Sequence, residues 1–361
     1  MSTSQREDRS GAREAASRSG HSARQGEHPS PPLGGLHHVT AIGGDARRNV
    51  DFYTRVLGQR LVKRTVNFDD PSTHHLYYGD ERGTPGSIMT FFPWPGSRRG
   101  RRGAGQVVVT SYGVPPGSLE WWEEHLLSRQ VAVEPLARRF GERTLRLLDP
   151  DGLLLELVEV AGLEGAAPWT GGGIAPEVAV RGFRGVTVAT APGSGTSSFV
   201  EQVMGFEPVA EEGGTRRHRI APAPGHGPAS VHDPFAAVLD VETSEEHGRG
   251  GAGTVHHVAF RIADDPAEQA WRSHLLASGA AVSPVMDRQY FHSIYFREPG
   301  GVLFEIATDP PGFTLDESVE ELGSALRLPP QYESQRERIE RLLPPLTEAM
   351  PATSRDERSS A

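Results

Sequence analysis

"DPDGLLLELVEV", residues 149–160, and "EPGGVLFEIATD", residues 298–309, are two versions of one pattern. Each begins with an acidic residue and a Pro- and Gly-containing turn, and each continues as an apolar run with one glutamate inside it. Such runs, bounded by turn residues, are typical of buried strands. The two segments lie 149 residues apart, which raises the question of whether the whole chain is duplicated.

Two further pairs of segments recur at nearly the same distance. They are "FYTRVLGQRLV" (52–62) with "FVEQVMGFEPV" (199–209), and "WEEHLL" (122–127) with "WRSHLL" (271–276). Matches at one offset are the signature of an internal repeat. The sequence therefore predicts two similar halves, about 34–165 and 180–312.

Each half divides again into two modules of one strand, one helix and a run of strands. Helical spacing of Val50, Tyr53 and Leu57 indicates a helix in the first module, and turn residues separate the strands that follow. We therefore predict an α+β fold of four modules. Their bounds are about 36–96, 106–160, 182–243 and 254–309.

The composition narrows the class of protein. The net charge of −10 argues against a nucleic-acid-binding surface, and no apolar run approaches the 18 residues of a membrane span. The absence of cysteine excludes thiolate metal ligands and fits a reducing compartment, so we expect a cytoplasmic protein. Residues 1–32 and 347–361 are expected to be disordered tails, and 313–346 a C-terminal helical extension with two short helices around a Pro-Pro pair.

At this level the chain resembles the vicinal oxygen chelate superfamily, which includes glyoxalases, bleomycin resistance proteins and extradiol dioxygenases. The resemblance covers about 36–330 and implies βαβββ modules whose pairs form two cup-shaped half-barrels. Three segments resemble the branch of hydroquinone-type ring-cleaving dioxygenases. They are "GLHHVTAI" (35–42), "LVKRTVNFDDPSTHHLYYGD" (61–80) and "YFHSIYFREPGGVLFEIATDPPGF" (290–313).

The superfamily takes its metal ligands from the first and last strands of its modules. Only modules one and four open with histidine, because the repeat partners of His38 and His257 are Gly185 and Val108. Glu305 lies on the closing strand of module four. The resemblance thus implies a metal site of His38, His257 and Glu305, for which module one must pack beside module four. Two imidazoles and one carboxylate form the facial triad of non-haem Fe(II) oxygenases.

Five further residues match pocket positions of the branch, and the resemblance implies catalytic roles for them. His37, Thr40 and His256 would contact the metal ligands without binding the metal themselves. Strict alternation along a strand, however, points the two histidines away from the metal. Arg288 would hold an anionic substrate oxygen through its fork of donors, and Tyr295 would donate a hydrogen bond or pass protons.

For three other histidines the sequence does not favour one specific role. His292 fits a proton relay or an ordinary loop residue equally well. His74 and His75 are metal-ligand types without a repeat-related carboxylate partner, so strand packing or pocket lining is favoured for them.

The resemblance implies an Fe(II)-dependent dioxygenase, with Mn(II) as the alternative metal, that opens the ring of a hydroquinone-type substrate with O2. The substrate supplies all the electrons, so no nicotinamide or flavin is needed. A glyoxalase-type isomerase, which uses four protein ligands, and a metal-free module that binds an aromatic compound are the alternatives. The expected partners are a small aromatic substrate and O2, without nucleic acid or membrane. The sequence leaves open whether the chain forms a homo-oligomer.

Overall fold

The structure is a computed structural model, and it describes residues 32–163, 166–220 and 237–346. Four successive groups of elements each contain one strand, one helix and three further strands. The strands are β1 (Leu36–Gly43), β2 (Arg60–Val66), β3 (His74–Gly79), β4 (Ile88–Pro93), β5 (Gln106–Val114), β6 (Ala137–Arg139), β7 (Glu142–Leu148), β8 (Leu154–Glu159), β9 (Phe183–Thr190), β10 (Glu207–Glu212), β11 (Thr215–Arg219), β12 (Val238–Thr243), β13 (Thr254–Ile262), β14 (Met286–Asp287), β15 (Phe291–Arg297) and β16 (Leu303–Pro311). The module helices are α1 (Ala46–Asp51) with a π-helical continuation (Phe52–Val56), α2 (Leu119–Ser128), α3 (Thr196–Gln202) and α4 (Asp265–Ala277). This pattern confirms the predicted α+β fold of four βαβββ modules.

The strands form two eight-stranded sheets, and each sheet combines one module from each half of the sequence. The first has the order β14-β15-β16-β13-β1-β4-β3-β2, and the second has the order β10-β11-β12-β9-β5-β8-β7-β6. Antiparallel pairing of β1 with β13 joins modules one and four, and pairing of β5 with β9 joins modules two and three. Each sheet is a half-barrel, and the central strands β1 and β13 of the first sheet carry the pairs His37-His38 and His256-His257.

The main apolar core contains residues from all four modules. Trp122 on α2 and Trp271 on α4, which are repeat partners, are both almost completely buried in it. The two tryptophans are the anchor residues of the "WEEHLL" and "WRSHLL" repeats, so the repeat marks a shared packing position of helix against sheet.

The linkers between modules run beside each other. Arg99 pairs with Ala252 and Arg101 with Arg249, so the Arg-rich linker after β4 follows the linker before β13. At Gly103 the two linkers approach closely, since an added Cβ atom would be 2.4 Å from the carbonyl oxygen of Glu246. The glycines of these linkers thus allow the two backbones to pass closely.

The C-terminal extension differs from the prediction of two helices. The extension opens with a short 3-10 helix (Phe313–Leu315), residues 318–328 form turns, and a second 3-10 helix (Pro330–Gln335) continues as α5 (Arg336–Leu342). The segment of turns is held to the edge of the first sheet, since Leu326 forms a bridge with Arg64 and the amide of Arg327 donates to the Arg64 carbonyl. Backbone pairing with the edge strand β2 replaces the helical hydrogen bonds.

The predicted tails lie outside the described residues, except for Pro32. In the part of the chain that the structure describes, no helix has the length and apolar character needed to cross a membrane. The bounds of the two sequence halves, 34–165 and 180–312, remain predictions.

Candidate metal centre

His38, His257 and Glu305 meet on the concave face of the first sheet. The Nε2 atoms of the two histidines are 3.3 Å apart, and Oε2 of Glu305 is 3.3 Å from that of His38 and 3.0 Å from that of His257. Divalent metals bind imidazole nitrogen and carboxylate oxygen at about 2.1 Å, so two ligands at a right angle lie about 3 Å apart. The three atoms therefore have the spacing of three adjacent ligands of one metal ion.

The surroundings of Glu305 fit a cation at this point. Its side chain is fully buried, and Oε2 accepts no hydrogen bond of good geometry although two imidazole nitrogens face it. Burial opposes the charge on Glu305, but attraction by His38 and His257 outweighs it and holds the pKa of the carboxyl well below its usual value. Burial lowers the pKa of His257. Both shifts are in the direction of deprotonation, which metal ligation needs for a carboxyl as well as for an imidazole.

The pairs His37-His38 and His256-His257 each lie at a β-bulge. Between β1 and β13, His37 is an extra residue between Leu36 and His38, which face the consecutive residues Phe260 and Ala259. His256 is the extra residue on the other strand, between His257 and Val255. A bulge breaks the strict alternation of side chains, so each adjacent pair can act together. Strict alternation therefore does not apply at these two positions.

Within each pair, the two rings face each other through their Nδ1 atoms. The Nδ1–Nδ1 distances are 2.9 Å for His37 and His38 and 2.7 Å for His256 and His257. Each ligand candidate thus turns Nε2 to the centre and Nδ1 to its neighbour, as in metal sites where an outer partner orients the ligand. His37 is buried and His256 is exposed. Burial, followed by the charge of His38, lowers the pKa of His37 well below its usual value.

The remaining pocket candidates lie around the same point. The ring of Tyr295 is 5.9 Å from that of His257, and its hydroxyl accepts a 3.1 Å hydrogen bond from Nε of Arg288. Thr40 is fully buried and lies directly opposite His257 on the neighbouring strand. Burial and the charge of Glu305 raise the pKa of Tyr295, which keeps its hydroxyl protonated at neutral pH.

Several residues of this face were not singled out in the sequence. Ser293 is fully buried, and its hydroxyl donates to Oε1 of Glu305, the oxygen turned away from the histidines. The ring of Phe291 lies 5.1 Å from that of His38 and 5.0 Å from that of His37. Alternation from Tyr295 along β15 would have placed Ser293 on this face.

The three histidines whose roles the sequence left open, His292, His74 and His75, lie in different surroundings. His292 is half-buried, its Nδ1 is 2.7 Å from Oδ1 of Asp265 at the start of α4, and this contact raises its pKa. Nε2 of His74 is 2.8 Å from the carbonyl oxygen of Pro344 in the C-terminal segment. His75 lies in the cup, where its Nε2 is 2.9 Å from the hydroxyl of Thr90.

The second sheet has the same architecture without the histidines. Its bulges lie at Val108 and at Arg184, which makes Val109, not Val108, the structural counterpart of His257. Glu156 has the position of Glu305, but its partners are Arg146 at 3.0 Å and Arg139 at 3.8 Å. Among the described residues, only the first sheet brings three metal-ligating side chains together in this way.

Comparisons with known proteins agree with this architecture. The family model of the Glyoxalase/Bleomycin resistance protein/Dioxygenase superfamily matches residues 35–157 and 193–306. A relative from Bacillus subtilis (strain 168), named "Putative ring-cleaving dioxygenase MhqO", is 48% identical over 86% of this chain and 96% of its own length. The chlorohydroquinone/hydroquinone 1,2-dioxygenase of Sphingobium indicum is 39% identical over 86% of this chain and 95% of its own.

A solved structure shows the same fold along its whole length. The crystal structure of a "putative dioxygenase" from Bacillus subtilis superposes with a TM-score of 0.81 at 47% identity, and the match covers 89% of this chain and all of that one. The repeated modules, the paired half-barrels and these matches lead to one conclusion: the chain belongs to the Glyoxalase/Bleomycin resistance protein/Dioxygenase superfamily.

Proposed function

We propose that this protein is a ring-cleaving dioxygenase for para-diol aromatic compounds, with Fe(II) held by His38, His257 and Glu305. The observation that carries the proposal is the meeting of these three ligand atoms, all within 4.8 Å of one another, on three adjacent strands. The names of the relatives, among them a hydroquinone 1,2-dioxygenase, supply the reaction class. Mn(II) accepts the same ligand set and is the alternative metal.

The dioxygenase proposal needs three protein ligands to the metal, whereas a glyoxalase-type isomerase uses four. Ala259 and Glu305 pair across β13 and β16, and Thr40 and Thr90 pair in the same way across β1 and β4. Thr90 therefore has the position in module one that Glu305 has in module four. A four-ligand site would need a carboxylate, amide or imidazole there, whereas a threonine leaves coordination positions open for substrate and O2.

When bound, Fe(II) would supply the one-electron chemistry that lets O2 react with an electron-rich ring. Three residues of the chain would position the metal ligands. His37 and His256 orient the imidazoles of His38 and His257, and Ser293 holds the carboxylate of Glu305. These contacts fix the three ligands before any substrate arrives.

Two residues would act on the substrate itself. Arg288 lies over the ring of Tyr295, with its guanidinium carbon 5.3 Å from the ring centre, and it carries the positive charge that binds a deprotonated hydroxyl. Tyr295 would donate its proton to a substrate oxygen, since its raised pKa keeps the hydroxyl protonated.

The test is anaerobic reconstitution with Fe(II), followed by oxygen-uptake assays with hydroquinone, methylhydroquinone and catechol. We expect uptake with the para-diols and loss of both bound iron and uptake in His257→Ala. His247→Ala, in the linker before β13, is the matched control and should behave as the wild type. Uptake with catechol alone would contradict the para-diol proposal, and bound metal without uptake on any diol would favour the isomerase. Absence of bound metal would leave the metal-free binding module.

A further inference from the structure

A chain of hydrogen bonds crosses the cup from β3 to β1. The hydroxyl of Tyr77 is 2.9 Å from Nδ1 of His75, and Nε2 of His75 is 2.9 Å from the hydroxyl of Thr90. The hydroxyl of Thr90 donates to that of Thr40 at 2.9 Å. Four side chains on three strands are thus linked in a row, and the row ends beside His257.

The donor and acceptor of each hydrogen bond in this row follow from the number of hydrogens that each side chain carries. Thr90 gives its one hydroxyl hydrogen to Thr40, so it must accept from His75, and Nε2 of His75 carries the hydrogen. In a neutral imidazole, Nδ1 is then an acceptor, and Tyr77 donates to it. Burial lowers the pKa of His75 and raises the pKa of Tyr77, which agrees with a neutral ring and a protonated phenol.

The last hydrogen of the row has no acceptor in the described part of the protein. Thr40 is fully buried, and its oxygen accepts the bond from Thr90, so its own hydrogen is free for another group. Directly opposite residues of an antiparallel pair share a face of the sheet, which puts this hydroxyl next to His257 on the metal side. A buried donor without an acceptor in a binding cup is an open place for a ligand oxygen.

We propose that His75 is a positioning residue that holds the hydroxyl of Thr40 as a hydrogen-bond donor to a deprotonated oxygen of a phenolic substrate. The inference rests on the proposed function and adds a specificity element to it. Removal of the His75 imidazole lets the hydroxyls of Thr90 and Thr40 rotate, and the donor is no longer directed at the substrate. Hydrogen bonds to an ionised oxygen are the stronger class, so the effect on the binding of a phenolate should be measurable.

The test measures the binding of 4-nitrophenol, by its absorbance, to Fe(II)-loaded protein without O2. His75→Leu should raise the dissociation constant about tenfold and leave the iron content unchanged. His75→Gln, whose amide can donate to Thr90, should restore most of the affinity. Under turnover with hydroquinone, His75→Leu should lower kcat/KM by at least the same factor.

A second pair of variants keeps the test decisive if His75→Leu does not fold. Tyr77→Phe removes only the hydroxyl that fixes the imidazole, and we expect a loss of affinity of about threefold. Tyr78→Phe is the matched control, because Tyr78 is equally buried on the same strand but its hydroxyl donates to Asn49. It should bind 4-nitrophenol as the wild type does.

The outcomes separate the two proposals. If wild-type protein fails to hold iron, the proposed function is wrong. If it holds iron and binds 4-nitrophenol, but His75→Leu and Tyr77→Phe bind it as tightly as the wild type, only the role of His75 is overturned. Equal losses in Tyr77→Phe and Tyr78→Phe, or no recovery in His75→Gln, would likewise overturn it, because they would indicate a general effect on packing.

Discussion

Glu305 and Glu156 occupy the same position in the two sheets, and their surroundings have opposite chemistry. Oε2 of Glu305 faces two imidazole nitrogens and accepts no hydrogen bond of good geometry, whereas Glu156 is balanced by Arg139 and Arg146. The duplicated fold thus contains one carboxylate that faces two imidazole nitrogens, as a metal ligand would, and one that is neutralised by protein cations. This difference provides an internal control for the metal site.

Glu305→Gln should weaken metal binding more than a hundredfold. The amide keeps the shape of the side chain but removes the negative charge, and changes of outer groups alone typically cost about 10- to 100-fold. Metal content after dialysis and a competitive chelator titration measure the effect. Glu156→Gln should keep the metal affinity of the wild type and instead lower the free energy of unfolding by about 1–3 kcal/mol, because two arginines lose a partner. Equal metal affinity in both variants would contradict the assignment of the site.

The outer histidines should matter for the metal without touching it. We expect His37→Phe and His256→Phe each to weaken metal binding about 10- to 100-fold, since the ligand rings lose the partner that sets their orientation. His292→Phe serves as a control, because this half-buried histidine pairs with Asp265 and not with a ligand candidate. The same chelator titration applies, and affinities within about twofold of the wild type for both variants would rule out a supporting role.

The repeat in the sequence predicts the fold because each repeated segment carries its own packing residues. Trp122 and Trp271, and likewise Glu156 and Glu305, recur at one offset and take equivalent places in the structure. The histidine pairs and the glutamate became candidates through the resemblance to the superfamily, which takes its ligands from the first and last strands of modules, together with the observation that only modules one and four open with histidine. Residue types and their spacing therefore contain most of the information on the modules.

The parts that the sequence did not predict depend on contacts between distant strands. The bulges at His37 and His256 are defined only by the register of β1 against β13, 219 residues further along the chain. His75 was assigned to strand packing or pocket lining because it has no repeat-related carboxylate partner, and its contact with Thr90 depends on the pairing of β3 with β4. The C-terminal turns follow from backbone pairing with Arg64, which helical periodicity cannot reveal.

Lys63 should be essential for holding the C-terminal segment. It is completely buried, and its ammonium group contacts the carboxylates of Asp316 and Glu317 and donates to the carbonyl of Phe313. Lys63→Met leaves Glu317 buried without this cation, so we expect a loss of about 3–5 kcal/mol in the free energy of unfolding. Urea denaturation measures it.

Two variants control the Lys63 experiment. Arg64→Met removes a neighbouring cation whose hydrogen bond to the Ser324 carbonyl is exposed, and it should cost less than about 1 kcal/mol. Lys63→Met combined with Glu317→Gln removes both charges and should be more stable than Lys63→Met alone. A double variant no more stable than the single one would show that the ion pair is not the source of the effect.

Asp149 should make the stability of the protein fall as the pH rises. This carboxyl is buried beside Tyr53 in the turn before β8, and burial raises its pKa to about 7. In the unfolded chain its pKa is about 3.9, so between pH 4 and pH 7 the folded state binds more protons than the unfolded state. The free energy of unfolding therefore decreases with pH over this range, by about 2 kcal/mol from pH 5 to pH 7.5, and levels off above it.

Asp149→Asn removes this titration and keeps the main contacts, because one amide oxygen can still accept from the backbone N–H groups of Asp151 and Leu153. Urea denaturation of both proteins at pH 5 and at pH 7.5 gives the comparison. The stability of the variant relative to the wild type should be about 2 kcal/mol more favourable at pH 7.5 than at pH 5. Asp151→Asn, which alters an acceptor for the Gly44 amide, is the control and should not reproduce this change. Parallel pH profiles for wild type and Asp149→Asn would mean that Asp149 is ionised in the folded protein throughout, its charge stabilised by the two backbone donors.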